Sequence, residues 1–167
     1  LGTRTLNEMM KAWVLRQGGT SPVQVIWQTG KYYEREMQAF LAAHPTGNIW
    51  QGAFIDRMDY AYAAADLVVS RSGAGTVSEL CLVARPVLFV PSPNVAEDHQ
   101  TKNARALEAK GAAVVVPDAE ARTRAMARAM ELLADGEALR RMSENLEKLA
   151  RPDAAERIVD EIEKVMK

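Results

Sequence analysis

Short apolar runs alternate along this chain with longer stretches of helical spacing, and that alternation restricts the fold more than any other feature. Val23-Gln-Val-Ile-Trp27, Asn48 to Ile55, Leu67-Val-Val69, Pro86-Val-Leu-Phe-Val-Pro91 and Gly111-Ala-Ala-Val-Val-Val-Pro117 read as strands. Helices are expected over 3–17, 31–43, Met58–Ala65, Thr76–Val83, Asp98–Lys110, about 120–134, about 137–149 and 153–166. Strands that alternate with helices pair in parallel through right-handed crossovers. The expectation is therefore an α/β fold with a Rossmann-like, doubly wound parallel sheet. With 167 residues, 48% of them apolar, the chain is long enough to bury the core of one such domain. It opens on Leu1-Gly-Thr-Arg-Thr without a preceding strand or an initiator Met, so a fragment is expected. A strand before Leu1 would bring the sheet to six and make Gly2 part of a second glycine turn.

The stretch most suggestive of chemistry is Asp66-Leu-Val-Val-Ser-Arg-Ser-Gly-Ala-Gly-Thr-Val-Ser-Glu79, in which a strand ends in a glycine turn and restarts as a helix. Gly73 and Gly75 let the backbone approach a ligand with no Cβ in the way. A helix that starts at the carboxyl end of a parallel strand points its free N–H groups and positive dipole into the ligand crevice, where phosphate is the expected guest. Thr76 and Glu79 share one face of the first turns and could add a hydroxyl and a carboxylate to that ligand. The same Thr-Val-Ser-Glu pattern also fits a capping box, with both side chains satisfying backbone donors, and on the residues alone both readings stand. The turn is neither the G-x-G-x-x-G dinucleotide fingerprint, since Ser78 holds the third place, nor a P-loop, since no Gly-Lys-Ser/Thr follows.

Several function classes are disfavoured. A net charge of −1 with scattered basic residues lacks a nucleic-acid footprint, and no apolar run approaches the ~18 residues of a spanning helix. Cys81 is the only cysteine and is expected to pack rather than react; a reducing cytoplasm suits it. His44 and His99 lie far apart, Asp56 and Asp59 form no D-x-D pair, and neither a metal nor a cofactor is expected. Asp98, His99 and Gln100 open the helix after the fourth strand. They could read sugar hydroxyls, or Asp98 could cap the helix with its neighbours merely solvated. On the last helix, Ile158, Ile162 and Val165 form an apolar stripe better suited to docking on a protein than on a membrane.

Taken in order, Ser70-Arg-Ser-Gly-Ala-Gly-Thr-Val-Ser-Glu79, Pro86-Val-Leu-Phe-Val-Pro-Ser-Pro93 and Asp98-His-Gln-Thr-Lys-Asn-Ala104 closely resemble the MurG family over that family's carboxyl-terminal half. These enzymes transfer N-acetylglucosamine (GlcNAc) from UDP-GlcNAc to the undecaprenyl-pyrophosphoryl-MurNAc-pentapeptide called lipid I, forming lipid II for peptidoglycan. The resemblance implies the donor-binding, carboxyl-terminal half of a GT-B glycosyltransferase lacking its first strand, with residues 1–167 as the UDP-GlcNAc domain and the acceptor domain absent. It places Thr76 and the amides near Gly75 at the diphosphate, Glu79 at the ribose diol and the Ile55 backbone at uracil, with Ser72 and Gly73 also in the UDP-GlcNAc site. Gln100, helped by His99, would read the GlcNAc hydroxyls. Gly2 would be the remnant of the family's Gly-Gly-Ser phosphate loop.

In that family the acceptor site, the membrane-facing patch and the catalytic His belong to the amino-terminal half. No catalytic residue is therefore expected here, and the chain by itself is expected to bind donor weakly and transfer nothing. The implied location is the cytoplasmic face of the bacterial inner membrane, peripherally attached. Two other readings stand beside it: a stand-alone sugar-nucleotide-binding subunit that docks a separate acceptor subunit, and a related GT-B enzyme or epimerase using another UDP-sugar.

Overall fold

The computed structural model describes residues 4–17, 21–94 and 98–166. In chain order the elements are α1 (Arg4–Gln17), β1 (Val25–Gln28), α2 (Glu34–Ala43), β2 (Ile49–Gly52), α3 (Met58–Ala64), β3 (Val68–Ser70), α4 (Ala74–Val83), β4 (Val87–Phe89), α5 (His99–Glu108) and β5 (Val114–Val115). A 3-10 turn at Asp118–Glu120 and a π-helical turn at Ala121–Ala125 then lead into α6 (Met126–Leu133), α7 (Gly136–Glu147) and α8 (Ala154–Val165). The expected alternation is thus present, with shorter strands. The run from Asn48 to Ile55, for example, pairs only as far as Gly52, because the chain then bends away towards α3.

All strand pairs are parallel. One continuous ladder was expected, but among the described residues the hydrogen bonds form two: β1 with β2, and β3-β4-β5 with β4 in the middle. Helix α1 ties the ladders together. The Nδ2 of buried Asn7 donates to the Thr29 carbonyl at 3.0 Å, and its Oδ1 accepts from Trp27 Nε1 at 3.0 Å, which fixes α1 to β1. From the same helix Thr5 donates to Asp118 at 3.2 Å, just past β5. The predicted stripe of α1 is core, with Met9, Met10, Trp13 and Val14 all buried.

In the three-stranded ladder burial is deepest at the central strand β4. Val87, Leu88, Phe89 and Val90 are all fully buried, as a central parallel strand covered on both faces requires. The β1-β2 ladder differs, since the register partners Ile26 and Trp50 are 47% and 51% exposed while Trp27, on the opposite face, is buried. Every residue of α8 is exposed, so its apolar stripe is covered by nothing among the described residues. No described helix is long and apolar enough to cross a membrane.

Candidate functional site

Strand β3 ends at Ser70, and the chain turns through Arg71, Ser72 and Gly73 into α4. Gly73 is the N-cap, with extended backbone at φ −62° and ψ 151°, and no side chain caps the helix. The turn itself therefore starts the helix two residues before Thr76, which becomes the third helical residue rather than a cap. This removes the capping-box reading: among the described residues the Thr76 hydroxyl bonds to nothing, and the Glu79 carboxylate accepts from the Tyr62 hydroxyl at 3.3 Å. A Cβ at Gly73 or Gly75 would meet no atom within 4 Å, so the space before this helix end is open. Uncapped first-turn N–H groups facing open space, with the positive end of the helix dipole behind them, suit an anion.

The beginning of α5 is pinned against the same turn. Ser72, fully buried, donates its hydroxyl hydrogen to the Gln100 carbonyl at 2.8 Å, and Asn103 Nδ2 donates to the Ser72 carbonyl at 3.2 Å. The Gln100 Oε1 accepts from the Ser92 N–H at 2.9 Å, which orients the amide and leaves Nε2 with no partner among the described residues. His99 is exposed beside it. Asp98, offered above as a cap, has left-handed backbone at φ 52° and its carboxylate caps nothing; the helix entry is fixed by Ser72 and Ser92 instead.

Ile55 lies past the end of β2, half-buried, and its N–H donates to Gln28 Oε1 at 2.9 Å. Tyr62 of α3, which follows Ile55 in the chain, is the residue that meets Glu79. Burial, reinforced by the Glu79 charge, raises the Tyr62 phenol above its ordinary range, so it stays protonated as a donor to that carboxylate. Gly2 lies outside the described residues. Burial also raises the Cys81 thiol, in keeping with packing rather than reaction.

Under the turn, Arg71 Nη1 donates to the carbonyls of Val90 at 2.8 Å and Pro91 at 3.1 Å and pairs with Asp118. Since Asp118 also accepts from Thr5, this one guanidinium fastens the carboxyl ends of β3, β4 and β5 and the start of α1 to each other. Arg71 and Asn103 stood inside the motifs quoted from the sequence without being given roles. Tyr62, Gln28 and Asp118 carried no local signal at all, because their partners lie 17, 27 and 47 residues away.

Ser72, Gly73, Gly75, Thr76, Glu79, Gln100 and Ile55 thus all sit at or just beyond the carboxyl ends of parallel strands, the edge at which doubly wound α/β domains bind ligands. An open glycine turn and an uncapped helix start at the carboxyl edge of parallel strands define a Rossmann-like α/β domain with a helix start suited to an anion. More narrowly, the chain belongs to the glycosyltransferase family 28 C-terminal domain family, whose model matches residues 1–158. A relative from Parabacteroides distasonis, named a UDP-N-acetylglucosamine N-acetylmuramyl-(pentapeptide) pyrophosphoryl-undecaprenol N-acetylglucosamine transferase, is 51% identical over 145 residues, 87% of this chain and 39% of that protein. A relative of the same name from Bacteroides fragilis is 51% identical over 146 residues, again 87% of this chain and 38% of its own length. The crystal structure of Acinetobacter baumannii MurG matches 98% of this chain and 47% of its own, with a TM-score of 0.82 and 32% identity. A Staphylococcus aureus MnaA structure holding UDP shares the fold at a TM-score of 0.69 and 16% identity, over 98% of this chain and 42% of its own. The MurG resemblance and the Rossmann-like GT-B half that it implied are borne out, and the chain spans less than half the length of the relatives it matches.

Proposed function

We propose that this chain is the donor-binding domain of an inverting GlcNAc transferase that carries sugar from UDP-GlcNAc to lipid I, with the acceptor domain elsewhere in the protein. The observation that carries this reading is the first turns of α4, where the Thr76 hydroxyl and the Glu79 carboxylate stand free of any capping role beside an open glycine turn. In this reading the α4 amides and Thr76 receive the diphosphate, Glu79 accepts hydrogen bonds from the ribose diol, Ile55 meets the uracil, and the Gln100 Nε2 reads the sugar hydroxyls with His99 beside it.

The reaction follows from what these groups can stabilise. The MurNAc 4-hydroxyl attacks C1 of GlcNAc, the C1–oxygen bond to the diphosphate breaks, and negative charge builds on departing UDP. Fixed N–H groups and a helix dipole stabilise that charge as it develops. The proton of the attacking hydroxyl passes to a base outside this chain. By the same reading the protein works at the cytoplasmic membrane surface, attached there through its other domain.

Calorimetric titration of UDP-GlcNAc, with UDP-glucose as control, tests the proposal. Glu79→Ala is expected to weaken UDP-GlcNAc roughly 10- to 100-fold, the loss of hydrogen bonds to a charged acceptor worth about 1.5–3 kcal/mol. Equal affinity in the variant would remove the ribose assignment, and equal binding of both sugars would leave only the nucleotide part standing.

A further inference from the structure

Among the described residues, the one group that bonds the Glu79 carboxylate comes from a different helix. Tyr62 of α3 donates its hydroxyl hydrogen to Glu79 Oε2 at 3.3 Å, across 17 positions of chain that include all of β3. The two partners differ in freedom. The Tyr62 ring is half-buried and packs against the hydrophobic core. Its helix is tied down as well, because Arg85, just past α4, donates from Nη1 to the carbonyl of Ala65 at the carboxyl end of α3, at 3.4 Å. Glu79, by contrast, is exposed on the second turn of α4, where its side chain could turn about three bonds. The phenol, held above its ordinary range by burial and by the Glu79 charge, keeps its proton at neutral pH, so the bond runs from phenol to carboxylate.

We propose that Tyr62 is a positioning residue of the donor site: its hydroxyl holds the Glu79 carboxylate at the angle from which that group grips the vicinal diol of a ribose. This rests on the ribose assignment of Glu79 given above. A diol offers two hydroxyl hydrogens side by side and needs two acceptor lone pairs facing them together. A carboxylate that spins freely presents them only part of the time, and ordering it on binding costs affinity. An ionised carboxylate has about four lone-pair sites, so the one taken by Tyr62 leaves enough for both hydroxyls. The tyrosine touches neither sugar nor nucleotide in this scheme and acts only through Glu79.

The test is titration of UDP and of 2′,3′-dideoxy-UDP into the protein at its full natural length, wild type and Tyr62→Phe, with thermal melts to establish folding. Phenylalanine keeps the ring and its packing and removes only the hydroxyl. Wild type is expected to prefer UDP, and Tyr62→Phe to weaken UDP roughly three- to tenfold while leaving the dideoxy nucleotide unchanged. In a Glu79→Ala background the same substitution is expected to change neither ligand, since no carboxylate is left to orient. A purely structural role would weaken both nucleotides alike in either background, and a tyrosine that merely competed with the ribose would tighten UDP when removed. Either result, or an unchanged preference, overturns this inference while leaving the ribose assignment intact. Wild-type protein that binds both nucleotides equally overturns the ribose assignment and the inference with it.

Discussion

The two ladders reach a comparable result, a rigid carboxyl edge, by different physics. In the three-stranded ladder every residue of β4 is buried, so apolar burial carries the body of the ladder, and only at its carboxyl ends do Arg71, Ser72 and Asn103 fasten β3 and the glycine turn. In the two-stranded ladder Ile26 and Trp50 face solvent, and order comes instead from polar side chains stitched to the backbone. Asn7 bonds to Trp27 and the Thr29 carbonyl, Asn48 Nδ2 to the Val23 carbonyl at 2.7 Å, and Gln28 to Ile55. Burial fixes the path of a strand, whereas polar stitching fixes individual side chains, so the two ladders hold their carboxyl edges by different means.

The sharpest way to break the contrast is Phe89→Ala in β4. Its ring is fully buried, so the cavity and lost transfer energy should cost about 3–5 kcal/mol in urea unfolding. Asn7→Leu attacks the other ladder through its polar stitching. It leaves the Trp27 Nε1 and the Thr29 carbonyl buried without that partner and should cost about 2–3 kcal/mol, a loss that a merely solvent-facing asparagine would not show. Smallest of all is Trp50→Lys, expected within about 0.5 kcal/mol of wild type because half of the side chain already faces solvent. A large loss there would mean that the exposed face of β1-β2 is covered in solution, and the contrast between the ladders would need redrawing.

Much of this architecture was legible in the residues. Short apolar runs revealed the strands, and the Met9, Met10, Trp13, Val14 stripe revealed α1, because burial imposes periodicity directly on sequence. Helix entry was less legible. Thr76 and Glu79 have capping-box spacing, yet Gly73 starts the helix earlier, and only the backbone path decides which of them wins. The π-helical turn at Ala121–Ala125 also escaped, since its alanines and arginines suit an ordinary helix equally well. Of the site, the glycine turn was visible because glycine is demanded locally. The supporting contacts Gln28 to Ile55, Tyr62 to Glu79 and Arg71 to Asp118 join residues that only the crossovers bring together, and no local pattern announces them.

Helix α1 bonds to segments made long after it. Thr5 meets Asp118 across 113 positions and Arg16 meets the Arg122 carbonyl across 106. At ribosomal speeds of about 5–20 residues per second, on the order of ten seconds separates the synthesis of the two sides. Throughout that interval Met9, Met10, Trp13 and Val14 lack the surface of the π-helical turn and α6 that later shelters them. Closure of the domain is therefore a late event in translation, and a growing chain halted before residue 121 holds α1 only by its bonds to β1, with the apolar stripe open to whatever chaperone or neighbouring nascent chain reaches it first.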